Sequence, residues 1–226
     1  MSNIKSTQFA SSVGGSTGDE EISAMWKQHL EPLYNSVPAG DAKAQFYDRL
    51  SSSLSAELPF YTKVQDVVTV CRNQKLRKAV GPDGIAMEAL IYGGHRLYVH
   101  LCMMFNLFVR HKYLPDDFMT SVIVPLVKCK TGDLSDVNNY RAIAISNSLS
   151  KLLEALFMRE LNAADAESDY RQFGFKAGHS TALCTSVLKR SVDYYTMRGS
   201  HVFTCFVDFT KAFDRVNYWK LFSMLL

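Results

Sequence analysis

Residues 206–216 read FVDFTKAFDRV, and this stretch is the most informative in the sequence. It ends a β-prone apolar run, HVFTCFVDF at 201–209, with an acid and continues into a predicted helix. An aspartate at the end of a buried strand loses much of its hydration, so Asp208 needs a compensating partner. A carboxylate beside an exposed backbone carbonyl suits Mg²⁺. Asp208 alone leaves a second interpretation open, in which its side chain only caps the helix that follows.

Composition places the chain among ordinary globular proteins. Of its 226 residues, 47% are hydrophobic and 21% are charged, which excludes wholly disordered, collagen-like and membrane-embedded classes. The formal net charge of +3 is too weak by itself to indicate a nucleic-acid partner. The five cysteines include no C-x-x-C pair, so neither a zinc knuckle nor a redox motif is predicted.

The sequence also predicts where the protein is found. It contains no secretory signal and no apolar run of bilayer length. The odd number of widely separated cysteines favours a reducing compartment. We therefore expect a soluble intracellular protein, in the cytoplasm or the nucleus, with no membrane partner.

Polar and apolar residues divide the chain into three regions. Residues 1–20 are rich in Ser and Gly and predict a flexible leader, because they offer little to bury. Residues 21–58 show helical apolar spacing and predict a helical N-terminal extension that ends in the Ser-rich stretch SSSLSAELP. Residues 59–226 read as one continuous domain. Helices mixed with short strands in irregular order predict a helix-rich α+β fold.

Two short strands are predicted in the middle of the chain. TSVIVPLVKCK, residues 120–130, is rich in β-branched residues, and YRAIAIS, residues 140–146, has the same character. The polar stretch TGDLSDVNN between them predicts a turn, so the two strands form a hairpin. Pro125 places its strand at a sheet edge or a bulge.

Four blocks resemble, in the family's order, the reverse transcriptases of non-long-terminal-repeat (LINE-type) retrotransposons, with group II intron maturases as more distant relatives. The blocks are AVGPDGI at 79–85, IVPLVKCKTGDLSDVNNYRAIAIS at 123–146, RQFGFKAGHST at 171–181 and FVDFTKAFDRV at 206–216. They are similar to the family's Gly-Pro-Asp-Gly turn, fingertip strands, Gln-x-Gly-Phe block and first catalytic motif. The resemblance runs from about residue 64 to residue 226. It implies the fingers and the first palm strand of a right-hand polymerase fold.

The resemblance implies a nucleotidyltransferase that copies an RNA template into DNA from a DNA primer. Asp208 would be the first metal-binding carboxylate of a site for two Mg²⁺ ions, with the backbone carbonyl of Phe209 as a further ligand. The two cations would hold the attacking 3′ oxygen and the leaving pyrophosphate oxygen. Phe213 would exclude a ribose 2′-hydroxyl and so favour dNTPs. Without the motif, Phe213 reads more readily as a core aromatic.

The resemblance also assigns residues to nucleotide and template. Arg141 and Lys128 would reach the triphosphate from the hairpin, with Lys130 as an alternative to Lys128. Gln172 and Gly174 would lie close to the template strand and the nucleotide. The residues implied to contact template phosphates are Lys75, Arg77 and Lys78. Taken without the resemblance, all of these cations are ordinary solvated surface charges.

The sequence departs from the family at several points. Ala142 stands where the family has proline, and Val80 stands where Pro or Ser is common. The 226 residues also stop before the aromatic-x-Asp-Asp turn, which supplies the other catalytic carboxylates, and before the thumb. We therefore expect these residues alone not to polymerise DNA. Asp214 resembles a position that is structural in the family.

Two other functions stay open. A non-catalytic nucleic-acid-binding remnant would use the basic residues named above without any catalysis. A phosphotransferase with Asp208 as nucleophile is disfavoured, because such enzymes need a second aspartate two positions on and this chain has Thr210 there.

Overall fold

The computed structural model describes residues 11–35, 37–53, 60–164, 169–176, 178–209 and 211–226. The chain divides into two compact units. The first unit is Met1–Leu156 together with Lys211–Leu226, and the second unit is Phe157–Thr210. The domain boundaries predicted at residues 20 and 58 stay predictions. In the described ranges, no helix combines the length and the apolar character needed to cross a bilayer.

The first unit begins with a small hairpin followed by two helices. Its elements are β1 (Ser12–Val13), β2 (Ser16–Thr17), α1 (Asp19–Tyr34) and α2 (Gly40–Ser53). Val13 is buried, and the Gly14 N–H donates to the Ser135 carbonyl at 2.9 Å. Val13 and Gly14 thus contact the rest of the first unit, and the flexible leader over residues 1–20 stays a prediction. Residues 1–10 lie outside the described residues.

Five further helices build the core. They are α3 (Val64–Arg72), α4 (Met87–Tyr92), α5 (Gly94–His111), α6 (Asp116–Met119) and α7 (Ser148–Ala164). Apolar residues at helical spacing on α3, α5 and α7 meet in one cluster, with Phe105 and Leu152 fully buried. The α5 helix ends at His111, and Lys112 follows it as a left-handed cap with a φ of 51°.

The predicted hairpin is confirmed. Strands β3 (Ser121–Val127) and β4 (Tyr140–Ser146) pair antiparallel in a two-stranded sheet, with Pro125 opposite Ala142. Both strands are sheet edges, so the missing N–H of Pro125 is tolerated. On one face of the hairpin, the Trp26 ring of α1 packs edge-on against Tyr140 at 5.2 Å between centroids. The other face carries exposed apolar side chains, including Val122 and Leu126.

The remaining elements are α8 (Thr181–Thr196) in the second unit, and a 3-10 turn (Phe213–Arg215) and α9 (Tyr218–Leu225) in the first. Ser180 caps α8: its hydroxyl accepts a hydrogen bond from the Leu183 N–H at 3.2 Å.

The strand predicted over residues 201–209 is wrong. These residues adopt no regular secondary structure, and Phe203 and Phe206 are 95% and 79% exposed. A strand needs a neighbouring strand to satisfy its N–H and C=O groups. The strand pairs found in the described residues are β1–β2 and β3–β4, so this run has none beside it. The fold is helix-rich α+β as predicted, while the right-hand polymerase architecture stays a prediction.

Candidate functional site

The hairpin places two predicted triphosphate ligands on one face. Arg141 lies directly opposite Leu126. The Lys128 N–H donates to the Asn139 carbonyl at 2.7 Å and extends the ladder, so Lys128 follows Leu126 by two residues on the same face. Lys130 instead lies within the turn that the Gly132 N–H closes on the Cys129 carbonyl. Lys128 therefore shares a strand face with Arg141, while Lys130 lies in the turn.

The turn between the strands is held by its own polar side chains. Asn139 accepts from the Cys129 N–H at 3.0 Å and donates to the Cys129 and Asp133 carbonyls, at 2.9 Å each. Asp136 accepts from the Asn138 N–H at 2.8 Å and caps a short 3-10 turn. The Lys128 Nζ donates to the Asn138 carbonyl at 2.7 Å. Hydrogen bonds within the turn therefore hold both the backbone next to Lys128 and its side chain in place.

The Gly-Pro-Asp-Gly turn docks against the end of the hairpin. The Gly84 N–H donates to the Gly81 carbonyl at 3.1 Å, which closes the turn. The Asp83 N–H donates to the Asn147 side-chain oxygen at 3.2 Å, and the Asn147 amide donates to the Asp117 carbonyl. Through these two hydrogen bonds the buried Asn147, which follows β4, joins the turn to α6.

Sequence reasoning missed the role of Asn147. A possible signal was the polar run SNS at 146–148, which interrupts two apolar elements. Such a run commonly marks a loop, and nothing local shows that it is buried. The Ser148 hydroxyl donates to the Ile85 carbonyl at 2.7 Å and completes the junction.

The three basic residues predicted to contact template lie in an exposed loop after α3. Lys75, Arg77 and Lys78 are all exposed, and none forms a salt bridge within the described part of the chain. Arg77 has a left-handed φ of 58°, and its N–H donates to the Glu88 carboxylate. This hydrogen bond, with the nearby Arg77 charge, holds the pKa of Glu88 below its usual value. The loop is therefore tied to α4 while its cationic side chains stay in solvent.

The second unit contains the Gln-x-Gly-Phe block. The Gln172 side chain donates to the Gly174 carbonyl at 3.1 Å, so the two predicted residues form one local turn. Phe175 beside them has a φ of 57° and is 94% exposed. The Arg171 guanidinium lies 3.1 Å from the Asp169 carboxylate, and its hydrogen bonds keep the pKa of Asp169 below its usual value.

Asp208 and Phe209 lie in the second unit, at the end of the segment 201–209, which has no regular secondary structure. Both are exposed, and Asp208 forms no hydrogen bond or ion pair with any other described residue. The expectation that burial strips its hydration is therefore wrong, because the strand that would bury it is absent. The capping alternative is not observed either, since Ala212 and Asn217 hold the N-cap positions of the next two helical segments.

Phe213 and Asp214 belong to the 3-10 turn of the first unit. Phe213 is 72% exposed and so is not a core aromatic in this structure. Tyr34, in the last turn of α1, has its pKa raised by burial and by the negative charge of nearby Asp214. The predicted residues thus divide between units. Lys128, Arg141 and Phe213 belong to the first, and Gln172, Gly174, Asp208 and Phe209 to the second.

The residues present fit only part of a magnesium site. Asp208 offers an exposed carboxylate followed directly by the Phe209 carbonyl, and protein-bound Mg²⁺ often uses one or two carboxylates together with substrate phosphates. The described residues contain no group of three or more His, Cys, Asp or Glu side chains able to enclose a metal ion. Further carboxylates are therefore needed for two cations. Thr210 lies outside the described residues.

Comparison with known proteins shows what the chain is similar to. Over 211 residues, 91% of this chain, it is 26% identical to "Probable RNA-directed DNA polymerase from transposon BS" of Drosophila melanogaster. It is 28% identical to the retrovirus-related Pol polyprotein of type-1 retrotransposable element R1 of Bradysia coprophila over 89% of this chain. It is 27% identical to the RNA-directed DNA polymerase from mobile element jockey of Drosophila funebris over 87%.

The chain is therefore similar, over most of its length, to proteins named as retrotransposon RNA-directed DNA polymerases. The similarity covers 23%, 20% and 22% of these three relatives, so the chain spans about a fifth of their length. No protein-family model matches the chain.

Proposed function

We propose that this chain is the fingers and the beginning of the palm of an RNA-directed DNA polymerase. The complete protein would add dNTPs to the 3′-hydroxyl of a DNA primer on an RNA template. The observation that carries this proposal is the similarity over 87–91% of the chain to the retrotransposon proteins named above. The exposed basic residues of the hairpin and of the 75–78 loop are compatible with it.

In this proposal, Asp208 and the Phe209 carbonyl hold Mg²⁺, with further carboxylates supplied from outside these 226 residues. When bound, two such cations neutralise the charge that develops on the attacking and leaving oxygens. Arg141 and Lys128 bind the triphosphate, Arg141 through its planar fork and Lys128 as a point charge. Phe213 rejects the ribose 2′-hydroxyl.

In this proposal, Gln172 and Gly174 lie close to the template strand and the nucleotide. A glycine at this point permits close backbone approach, and a Cβ atom at Gly174 would meet nothing within 4 Å in this structure. The open space beside Gly174 is compatible with a nucleic-acid strand passing there.

Primer extension tests the proposal. The protein encoded by the complete reading frame is assayed with Mg²⁺, dNTPs and a DNA primer on RNA, and it is compared with its Asp208→Asn variant. We expect extension to slow at least about a hundredfold, as when other transition-state charge stabilisers are removed. Asp193→Asn, which changes another exposed aspartate of the second unit, is the matched control and keeps its activity. Equal rates for Asp208→Asn and the unsubstituted protein would end the assignment.

A second function, nucleic-acid binding without catalysis, is favoured by one specific observation. Lys75, Lys78 and Arg141 are exposed and form no salt bridge with described residues. A cation that forms no ion pair within the protein breaks none when it neutralises a phosphate and releases a counterion. The net charge of +3 is small, so any attraction to nucleic acid would come from these local basic residues rather than from the charge of the whole chain.

Salt titration of binding tests this second function. We expect the 226-residue chain to retain single-stranded RNA on a filter, with log K falling linearly against log salt. Lys75→Ala combined with Lys78→Ala should reduce the slope by about 1 to 2, because about one counterion is released per phosphate contact. Lys189→Ala, an exposed lysine on α8, is the control. No retention by the unsubstituted chain contradicts the hypothesis.

We also propose an intracellular location, in the cytoplasm or the nucleus, and the three-region division of the chain at residues 20 and 58. The cysteine pattern supports the first proposal, and the composition shifts described above support the second. Immunofluorescence of the tagged protein checks the location, and surface or secreted signal would contradict it.

A further inference from the structure

Two segments far apart in the sequence meet in the first unit. Helix α2 packs against α9, and the Arg49 guanidinium donates to the Ser223 carbonyl at 2.8 Å across 174 residues of sequence. Ser223 lies in the last turn of α9, where carbonyl groups lack partners within the helix. A cation at this end is also favoured by the helix dipole. Arg49 thus stabilises the C-terminal end of α9.

Aromatic side chains fill the interface between the same two helices. Phe46 lies 5.6 Å from Trp219 and 6.0 Å from Phe222, measured between ring centroids. Tyr47 lies 5.7 Å from Trp219, and the Lys43 Nζ stands 5.2 Å from the centre of the same ring. These rings fix the rotation of α9 about its own axis, because tilted ring pairs are directional contacts.

The beginning of α9 is fixed as well. The Asn217 side-chain oxygen accepts from the Lys220 N–H at 3.1 Å and caps the helix. Its amide group donates to the Pro38 carbonyl, just before α2, at 3.5 Å. Four residues upstream of Asn217, Phe213 begins a 3-10 turn that packs against α1. Burial and, after it, the negative charge of Asp214 raise the pKa of Tyr34, in the last turn of α1.

We propose that α2 and the end of α1 are positioning elements for the segment 211–226 and that Arg49 is a positioning residue for the Phe213 ring. The inference rests on the proposed function, in which this ring excludes the ribose 2′-hydroxyl. Phe213 stands on a single 3-10 turn that packs against α1 and leads within four residues to the cap of α9, so the anchoring of both helices contributes to its position. The N-terminal helices therefore set the preference for deoxyribonucleoside over ribonucleoside triphosphates, although they do not touch the nucleotide.

The first part of the test measures whether Arg49 anchors α9. Amide hydrogen exchange is followed in the 226-residue chain with and without Arg49→Ala, with Arg110→Ala as the matched control because Arg110 is an exposed arginine of the same unit. We expect at least about fivefold faster exchange over residues 218–226 in the Arg49 variant, with α5 unchanged. Arg49→Lys should restore part of the protection. Unchanged exchange over 218–226 overturns the inference.

The second part measures selectivity in the polymerising protein. The ratio of kcat/KM for a dNTP to that for the matching rNTP is determined for the unsubstituted protein, Arg49→Ala and Arg110→Ala. Phe213→Ala is the reference for complete loss of the gate. We expect Arg49→Ala to lower the ratio by at least about fivefold and Arg110→Ala to leave it unchanged. Arg49→Lys should recover part of the ratio, which a general loss of stability does not explain.

The outcomes separate the two proposals. A protein that extends a primer while its Arg49→Ala variant keeps the full dNTP preference overturns the inference alone. An unsubstituted protein that does not extend a primer overturns the proposed function and the inference with it.

Discussion

At the scale of single residues, Gly81 decides whether two segments of the first unit can meet. A Cβ atom at this position would lie 2.6 Å from the Ser146 carbonyl oxygen and 2.8 Å from the Asn147 Cα. Both neighbours are backbone atoms, so neither can move aside as the end of a flexible side chain does. The absence of a side chain at Gly81 therefore lets the turn at 81–84 lie against the end of β4.

Gly81→Ala should destabilise the protein by about 1 to 3 kcal/mol, the cost typical of overpacking. A lower urea midpoint at unchanged m-value is the expected measurement. Gly174→Ala serves as the control, because its added Cβ would meet nothing within 4 Å. A Gly81→Ala midpoint equal to that of the control would show that the turn does not lie where the structure puts it.

Cys129 shows how a local hydrogen bond changes reactivity. The Thr131 hydroxyl, 3.2 Å from the Cys129 sulfur, and the N–H groups of Thr131 and Gly132 lower the pKa of this exposed thiol. Burial has the opposite effect at Cys71, raising the pKa of that thiol to about 11. The two cysteines should therefore differ strongly in alkylation, with Cys129 open to reagents and Cys71 protected until unfolding.

Thr131→Val should raise the pKa of Cys129 and slow its alkylation. Near neutral pH, we expect the iodoacetamide rate at Cys129 to fall roughly two- to tenfold, because less thiolate is present at a given pH. The difference should vanish at high pH, where the thiol is ionised in both proteins. Mass spectrometry follows the rate, and exposed Cys184 in the same molecule is the internal control. Equal Cys129 rates in the two proteins contradict the assignment.

At the scale of elements, α5 is the central helix of the core. Phe105 has no exposed surface, and Met103 two residues earlier is 59% exposed on the opposite side. Helices α3, α4 and α7 contribute the other buried members of the cluster, Val67, Cys71 and Leu152 among them. One helix thus carries both a core position and a matched surface position.

Phe105→Ala should lower the free energy of unfolding by about 3 to 5 kcal/mol, because it removes buried apolar contacts and leaves a cavity. Met103→Ala, on the same helix, should change it by less than about 0.5 kcal/mol. Chemical denaturation of the two variants makes the comparison. Similar losses for both would mean that α5 presents a different face to the core.

At the scale of the whole molecule, the segment 201–209 contrasts with the core. It contains exposed apolar side chains, with Phe209 76% exposed, and lacks regular hydrogen bonding. Backbone in this state is the preferred substrate of proteases, because it enters their clefts without unfolding.

Limited chymotrypsin digestion should therefore cut the chain first after Phe203, Phe206 or Phe209. The peptide bond after Phe105 should survive much longer, because it lies inside a buried helix. Mass spectrometry of the first fragments checks the order of cleavage. First cuts within α5 would contradict the described fold.

Much of the first unit was predictable from the sequence. The β3–β4 hairpin follows from two β-branched runs around a polar turn, and the end of α5 follows from Pro115. For the candidate site, the shared face of Lys128 and Arg141 follows from strand alternation once the register is known. The turn length alone left Lys128 and Lys130 as alternatives. The roles of these residues in chemistry stay predictions.

The sequence by itself determined the features that depend on neighbouring residues, namely the turns, caps and amphipathic helices. Only the tertiary structure decided the contacts that depend on distant ones. It brought α2 against α9 across 174 residues, buried Asn147 at a junction of three segments, and left residues 201–209 without a partner strand. Local propensity is set by each side chain and its own backbone. A strand, a close glycine contact or a helix pair exists only when another part of the chain supplies the matching surface.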